Sequence, residues 1–383
     1  MASQPNATIR GWRGAVALAA LTTVAFTAGA ATAQARDWFV HATQGDDAQA
    51  GTADAPLATI QAAADRAGAG DVIHLQPDGA TFHQSVLLRE TKNLTLEGHA
   101  CTLDGAEPIS PDAWRQVKDD LYRIKVEQPR YPWYMLITTH GVEVAQQGKA
   151  DKPLDPAELR AGQCTVQQIP DDTKSIWLYY RGAPKDIRAR SVLFSGVATR
   201  DANVGLIVRD LTATHFLNDG FNIHGKARRC RFERVRGVDN RDEGLSLHNQ
   251  SEAVIVDSIF TGNDNGVADI NESESRYEAC VFSDNRSNAI VFSGGTHTLV
   301  GGEVRSSNVP GVTVRIHEGK RARTKEVIPV ACVFERVTFR DPQNGGKLFI
   351  GAGAVVDLTD IQLDGVQLVS DPTAVVRQST TTN

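Results

Sequence analysis

The sequence predicts an all-β chain wound as a parallel β-helix, a solenoid of short strands stacked coil upon coil. Two observations carry this. Asn recurs at 218, 240, 263, 285 and 308, at spacings of 22, 23, 22 and 23 residues. Each is followed within two to four residues by a small residue (Gly220, Gly244, Gly266, Ala289, Gly311) and then by an alternating segment: "FNIH", "LSLH", "VADI", "IVF" and "VTVRIH". A repeat in the low twenties built from short strands and polar turns belongs to an architecture in which no unit buries its apolar face alone. A second echo agrees: "CRFERV" at 230–235 returns as "CVFERV" at 332–337. Period-two alternation turns its Cys and Phe inward and its Glu and Arg toward solvent.

In chain order, residues 1–35 read as a secretory signal peptide. Arg10 and Arg13 precede the apolar run "GAVALAALTTVAF", and Ala33 and Ala35 occupy the small positions of a cleavage site. The expected location is secreted or periplasmic, with no membrane anchor. Residues 36–107 form an N-terminal cap and the first coils. "PLATIQAAADRAGAGD" supplies a short amphipathic helix starting at Pro56, with Leu57, Ile60, Ala64 and Ala67 on its buried side and Gly68 closing it. Between 108 and 190 the period fails. A β-rich insertion packed on the column is expected there, and its concentrated aromatics form its own small core, with Trp133, Tyr134, Tyr179 and Tyr180 left open as sugar-stacking candidates. Residues 191–370 carry the regular coils, and 371–383 form a polar, disordered tail.

The net charge of −6 argues against nucleic acid as a partner. Five scattered cysteines without a C-x-x-C pair predict neither a disulfide nor a zinc site.

Parallel strands pair with their equivalents one coil on, about 4.8 Å away, so positions of equal phase stack into columns. The five Asn would form one such ladder, satisfying backbone groups of buried turns. The phrases "NDGFNIHG" (218–225) and "RDEGLSLH" (241–248) place Asp219 beside Asp242 and Glu243, then Asp264 a coil further. They also stack Asn222 on Ser246 and His224 on His248 on the outward side. Asp219, Asp242, Glu243, His224 and His248 are therefore the candidate catalytic residues. Close carboxyl groups raise one another's proton affinity, which suits acid–base cleavage of a glycosidic bond. Elimination would ask instead for a cation or Arg to neutralise a sugar carboxylate, together with a base. Seven basic residues in 226–241 form a local patch suited to a polyanion. Arg229, Arg231, Arg241, Asn222 and Arg315 are the candidate substrate-binding residues. Asp264 and Asp269 are the candidate metal ligands, calcium being the ion their hard oxygens would suit.

The stretch "DWFVHATQGDDAQAGTADAPLATIQAAADRAGAGDVIHL" (37–75), with its P-x-x-T-I-Q-x-A and G-D-x-I phrases, resembles the opening of right-handed parallel β-helix proteins of the pectin-lyase-like superfamily. That resemblance implies a carbohydrate-active protein, a polysaccharide lyase or glycoside hydrolase acting on an acidic polysaccharide. Non-catalytic members that bind a glycan or a surface partner supply the alternative. Among polygalacturonases the comparable motifs run N-T-D-G, D-D, G-H-G and R-I-K. Here "NDG" and "DEG" follow them, whereas "DNG" (264–266) lacks the His and "RIH" (315–317) lacks the Lys.

Overall fold

A computed structural model describes residues 35–381 apart from 128–135, 139–142, 150–151, 191–193, 306–311 and 322. The expected signal peptide, Trp133, Tyr134 and Asn308 lie outside the described residues.

The parallel β-helix is present. One of its sheets has nine strands in coil order: β1 (Val86–Arg89), β2 (Val197–Arg200), β3 (Phe221–Ile223), β4 (Glu243–Leu247), β5 (Asn265–Ile270), β6 (Asn288–Ser293), β7 (Val312–His317), β8 (Lys347–Ile350) and β9 (Gln367–Ser370). An eighteen-stranded parallel sheet forms the remaining walls. Registers confirm the stacking. Val197, Phe221, Leu245, Val267, Ile290, Val314 and Leu348 follow one another across the nine-stranded sheet, and all are fully buried. The inward face is thus a continuous apolar column. Phe232 and Phe334 line one of these walls, and Phe260 and Phe282 line another. Cys230, Cys280 and Cys332 are buried free thiols, as is every other cysteine.

Three local choices make the coils stack. The first is the Asn ladder. Asn263 Oδ1 accepts from the backbone N–H and the side-chain Nδ2 of Asn240, both at 2.9 Å, while Asn263 Nδ2 donates to Gly237 O at 2.9 Å and Asn285 Oδ1 at 3.3 Å. Asn218 is not part of it. Asn240 reaches the backbone of Phe216 instead, and Asn218 Nδ2 donates to Ser195 Oγ at 3.1 Å. The ladder therefore runs through Asn240, Asn263 and Asn285 among the described residues.

Glycine after the ladder is the second choice. A Cβ on Gly244 would lie 2.7 Å from Gly266 O and 2.8 Å from Asn263 Nδ2, so a side chain would push apart the two features that bind adjacent coils. The third is the turn following the site strands, where Gly225, Asn249, Asn271 and Gly294 stand at equal phase with φ of 88°, 58°, 65° and 81°. Asn and Gly are the residues that tolerate this left-handed backbone best.

The N-terminal helix begins later than the sequence suggests. It spans Ile60–Arg66, and its N-cap is Thr59, whose Oγ1 accepts from Ala62 N. Asp47 fixes this cap from outside through Thr59 N and Oγ1. Ile60 and Ala63 are the helix residues buried against the first coils, so Pro56 and Leu57 precede the helix and Ala64 is only partly covered.

The insertion is an eight-stranded, largely antiparallel sheet running from Ala106 to Arg190. Tyr179 and Tyr180 are each 7% exposed and belong to its own apolar clusters, so they are core and not a sugar platform. Asp104 ties the insertion to the column, receiving Arg188 and His215; these two hydrogen bonds outweigh burial and hold its carboxyl down to about 2. Arg188→Ala is expected to loosen the insertion, seen as earlier proteolytic cleavage within 106–190 while the column resists.

The tail contains a strand where the sequence predicts disorder. Val375–Ser379 is a strand in register with Val355–Thr359, and Arg377 Nη1 donates to Asp357 Oδ1 at 2.9 Å. Its alternating Val375, Arg377 and Ser379 were too polar to read as a strand, yet parallel pairing with the previous coil supplies every backbone partner on one side.

Candidate active site

Side chains that point outward from β2, β3 and β4 line a groove of about 1130 Å³. The turn before each strand supplies the acids. Asp219 stands one coil from Glu243, and the column continues through Asn265 and Asn288. Asn288 Nδ2 donates to Asn265 Oδ1 at 2.8 Å, and Asn265 Nδ2 to Glu243 Oε1 at 2.9 Å. Asp242 flanks Glu243 and stands one coil from Asp264. Carboxyl oxygens of Asp219, Asp242 and Glu243 lie within 4.8 Å of one another.

Asp219 sits deepest, 1% exposed. Its Oδ1 accepts from Glu243 N at 3.1 Å and its Oδ2 from Ser246 Oγ at 2.6 Å. Burial is the main cause that pushes its carboxyl up to about 7. Burial, together with the charges of Asp219 and Asp242, raises Glu243 well above the carboxylate range. Asp242 is also raised, first by burial and then by Asp264, but Arg241 and Arg286 oppose this. Glu243 thus keeps its proton well beyond the ordinary carboxylate range, and Asp242 is the member helped toward its anion.

The two histidines stack as the sequence implied, with ring centroids 3.9 Å apart and planes 7° from parallel. Burial pushes His248 down to about 3 and also lowers His224, so both imidazoles are neutral. His248 Nε2 is 3.1 Å from Ser246 Oγ. Because the Ser246 proton points to Asp219, that oxygen accepts from Nε2–H. His248, Ser246 and Asp219 form one chain of hydrogen bonds ending on the acids.

Of the remaining candidates, the structure brings two near the trio. Asn222 lines the groove, and its buried Oδ1 has no hydrogen-bond partner among the described residues. Arg241 is close enough to favour the anion of Asp242. Arg229 and Arg231 are elsewhere. Arg231 belongs to the eighteen-stranded sheet, where it pairs with Glu233, since "CRFERV" turns its charges out from a different wall. Arg315 is in the outward column of Asn222 and Ser246, several coils further on.

The metal assignment changes as well. Asp264 accepts from Ser287 Oγ at 2.9 Å at the surface end of the acid column, whereas Asp269 faces inward between Leu247 and Phe292. It is fully buried, with Tyr277 donating to Oδ2 at 3.0 Å. The pair cannot share an ion. The oxygen cluster that could hold a metal ion is Asp219, Asp242 and Glu243, and the orphan Asn222 Oδ1 makes this all-oxygen set compatible with a hard cation.

Burial pushes Asp269 up to about 7, as it does Asp219. The folded chain then holds these protons more tightly than the unfolded chain. Their stabilising contribution is complete below the ordinary carboxylate range and is lost as pH rises through about 7. The thermal midpoint should therefore drop between about pH 5 and about pH 8, and Asp269→Asn should flatten that drop; an unchanged slope would remove Asp269 as its source.

Sequence reading held Lys226 only within the basic run 226–241 and missed Arg200 and Ser195; all three line the groove. Arg200 is in the column of His224 and His248. "VATR" aligns with "FNIH" and "LSLH", but the insertion hides this earlier coil. Lys226 lies just past the left-handed turn at Gly225, where strand alternation no longer applies. The groove's far end comes from Gln61, Ser85 and Glu90 around β1. Among the described residues the insertion contributes nothing to it.

The coil geometry defines a parallel β-helix with a groove along its nine-stranded sheet. Solved structures of that fold are similar to the chain. One described as a complex of XylC with xylose superposes with a TM-score of 0.59 at 10% identity, covering 85% of this chain and 69% of the other. A glycoside hydrolase superposes with a TM-score of 0.50 at 11% identity, covering 90% and 97%. No protein-family model and no curated protein sequence matches the chain.

Proposed function

We propose that this chain is an exported glycoside hydrolase that cleaves an acidic polysaccharide in the groove of β2, β3 and β4. The observation that carries the reading is the convergence of three carboxyl groups within 4.8 Å, one buried and all raised in proton affinity, at the floor of a glycan-sized groove. Glu243, raised in proton affinity by burial and by its acidic neighbours and oriented by Asn265, is the acid that protonates the leaving glycosidic oxygen. Asp242, nearest solvent and favoured as an anion by Arg241 and Arg286, is the carboxylate that acts at the anomeric carbon. Asp219, fixed by Ser246, adds to the effect of burial on Glu243 when it is itself ionised. The carboxyl spacing is shorter than the ~6.5–9.5 Å that inversion requires, so retention is the expected stereochemistry. Arg200 and Lys226 beside the neutral histidines supply the positive charge that favours a sugar acid over a neutral sugar.

A cation held by the three carboxyls and Asn222 would supply charge neutralisation for a substrate carboxylate, and it would compete with the protons there. Export is supported by the apolar, Arg-led N-terminal segment.

The test is to incubate residues 36–383 with pectins, alginate, glycosaminoglycans and sulfated glycans, with calcium and with chelator. Reducing ends and ultraviolet absorbance are recorded together. Reducing ends without absorbance, retained in chelator, are expected. A parallel rise in absorbance would mean elimination, and no product from any polymer would leave the groove a binding site. Activity should also decline on the alkaline side as Glu243 loses its proton, and an alkaline limb that is unchanged in Glu243→Gln would exclude it as the acid.

A further inference from the structure

Among the described residues, the regular coils are interrupted after the site directly beyond His317. There the chain leaves β7 as a hairpin in which Gly319 pairs with Ile328 and Lys320 with Val327. The hairpin does not simply project. Arg321 reaches Glu272, with Glu326 as its second partner at 3.0 Å. Glu272 follows Asn271, which is one coil on from Asn249 at the groove's edge. The hairpin is therefore folded back along the column toward the groove, spanning two coils. Arg321 is engaged in this anchoring, whereas Lys320, Arg323 and Lys325 are exposed and make no ion pair among the described residues.

Arg315 adds a second, independent placement. It is exposed, and register takes it through Val291, Ala268 and Ser246 to Asn222. Four coil steps put it about 19 Å from Asn222 along the column axis. Its guanidinium lies over the half-buried ring of Phe349, 5.9 Å from the centroid. An extended chain lying along β3 to β7 would meet the acids at one end and this cationic shelf at the other.

We propose that Arg315 and the hairpin Gly319–Ile328 form a distal subsite that grips a further stretch of the same anionic polysaccharide chain, so that long chains bind more tightly than short ones. The proposal rests on the reading of the groove as the place where a glycan is cut. The cations of the shelf are exposed and spread along the column, suited to the regular charges of a polyanion and not to one small anion.

The experiment is affinity electrophoresis of residues 36–383 through gels containing polygalacturonate, alginate or neutral galactan, over a series of salt concentrations. Three proteins are compared: the parent, a shelf variant (Arg315→Ser, Lys320→Ser, Arg323→Ser, Lys325→Ser) and a groove variant (Arg200→Ser, Lys226→Ser). Thermal unfolding verifies that each is folded. The parent should be retarded by a polyanion and not by galactan. The shelf variant should lose affinity on the order of tenfold, with a shallower salt dependence, and the groove variant should keep part of its retardation. A shelf variant that migrates like the parent while the groove variant loses retardation overturns the distal subsite and leaves the groove reading intact. Retardation lost in the shelf variant, in a parent that cleaves none of these polymers, upholds the shelf as a polyanion surface and overturns the groove as a hydrolase. Equal retardation of the parent by galactan and by the polyanions overturns the shelf as a charge-reading subsite.

Discussion

Glu243→Gln is expected to lower turnover on the cleaved polymer by about 10²–10⁴-fold and at the same time to raise the thermal midpoint by a few degrees. The first effect follows from removing the proton donor while keeping the shape and the hydrogen bond from Asn265 Nδ2 to Oε1. The second follows from the burial and the neighbouring charges of Asp219 and Asp242 that raise Glu243. A neutral amide folds into the site without taking up a proton, so the cost of burying an acid there is removed. Asp264→Asn is the matching control, an acid of the adjacent column already bonded by Ser287, and its effect on turnover should stay below about tenfold. Steady-state kinetics and calorimetric unfolding on the same preparations decide the matter. A Glu243→Gln variant that is both slow and less stable would mean that Glu243 is structural.

Asn263→Ala should be the most damaging single change in the column away from the groove. The side chain is fully buried and joins three coils, accepting twice from Asn240 and donating to Gly237 O and Asn285 Oδ1. Truncation leaves several of these groups unpaired where water does not reach, at about 1–3 kcal/mol each, so a loss of roughly 3–5 kcal/mol is expected in urea unfolding. Asn288→Ala, on the half-buried outer column, should cost less than about 1.5 kcal/mol. Equal costs at both positions would show that the inner ladder is not what binds the coils.

The repeat was legible because stacking makes physics periodic. The same small residue is needed wherever one coil's backbone passes over the next, as Gly220 and Gly244 show, and the same alternation recurs wherever a strand has one wet face. From that periodicity the sequence yields the stacking of His224 on His248 and the approach of Asp219 to Glu243. It misplaces what periodicity does not govern. Asn218 shares the phase of the Asn ladder in sequence but not in space, since one coil there is a residue or two longer, and the amide turns to Ser195. Asp269 looks like an acid of the outer strip because "VADI" contains one, yet strict alternation puts it inside, where Tyr277 and nearby Ser275 take the place of water. Arg231 belongs to a different wall, and a linear patch of charge does not show which wall each Arg faces. The groove's far end comes from Gln61, Ser85 and Glu90 around β1, more than a hundred residues upstream, and no local pattern ties them to the acids.

Because β3 to β7 advance by one strand spacing per coil, the separation between the acids and Arg315 is counted, not continuously adjustable. A loop can lengthen by any number of residues, but the column lengthens only by whole rungs of about 4.8 Å. Gaining or losing one coil between β5 and β7 would change the length of chain the protein measures by one rung and leave the chemistry at Asp219, Asp242 and Glu243 untouched. The architecture is in this sense a ruler with fixed graduations, on which catalysis and reach can be altered separately.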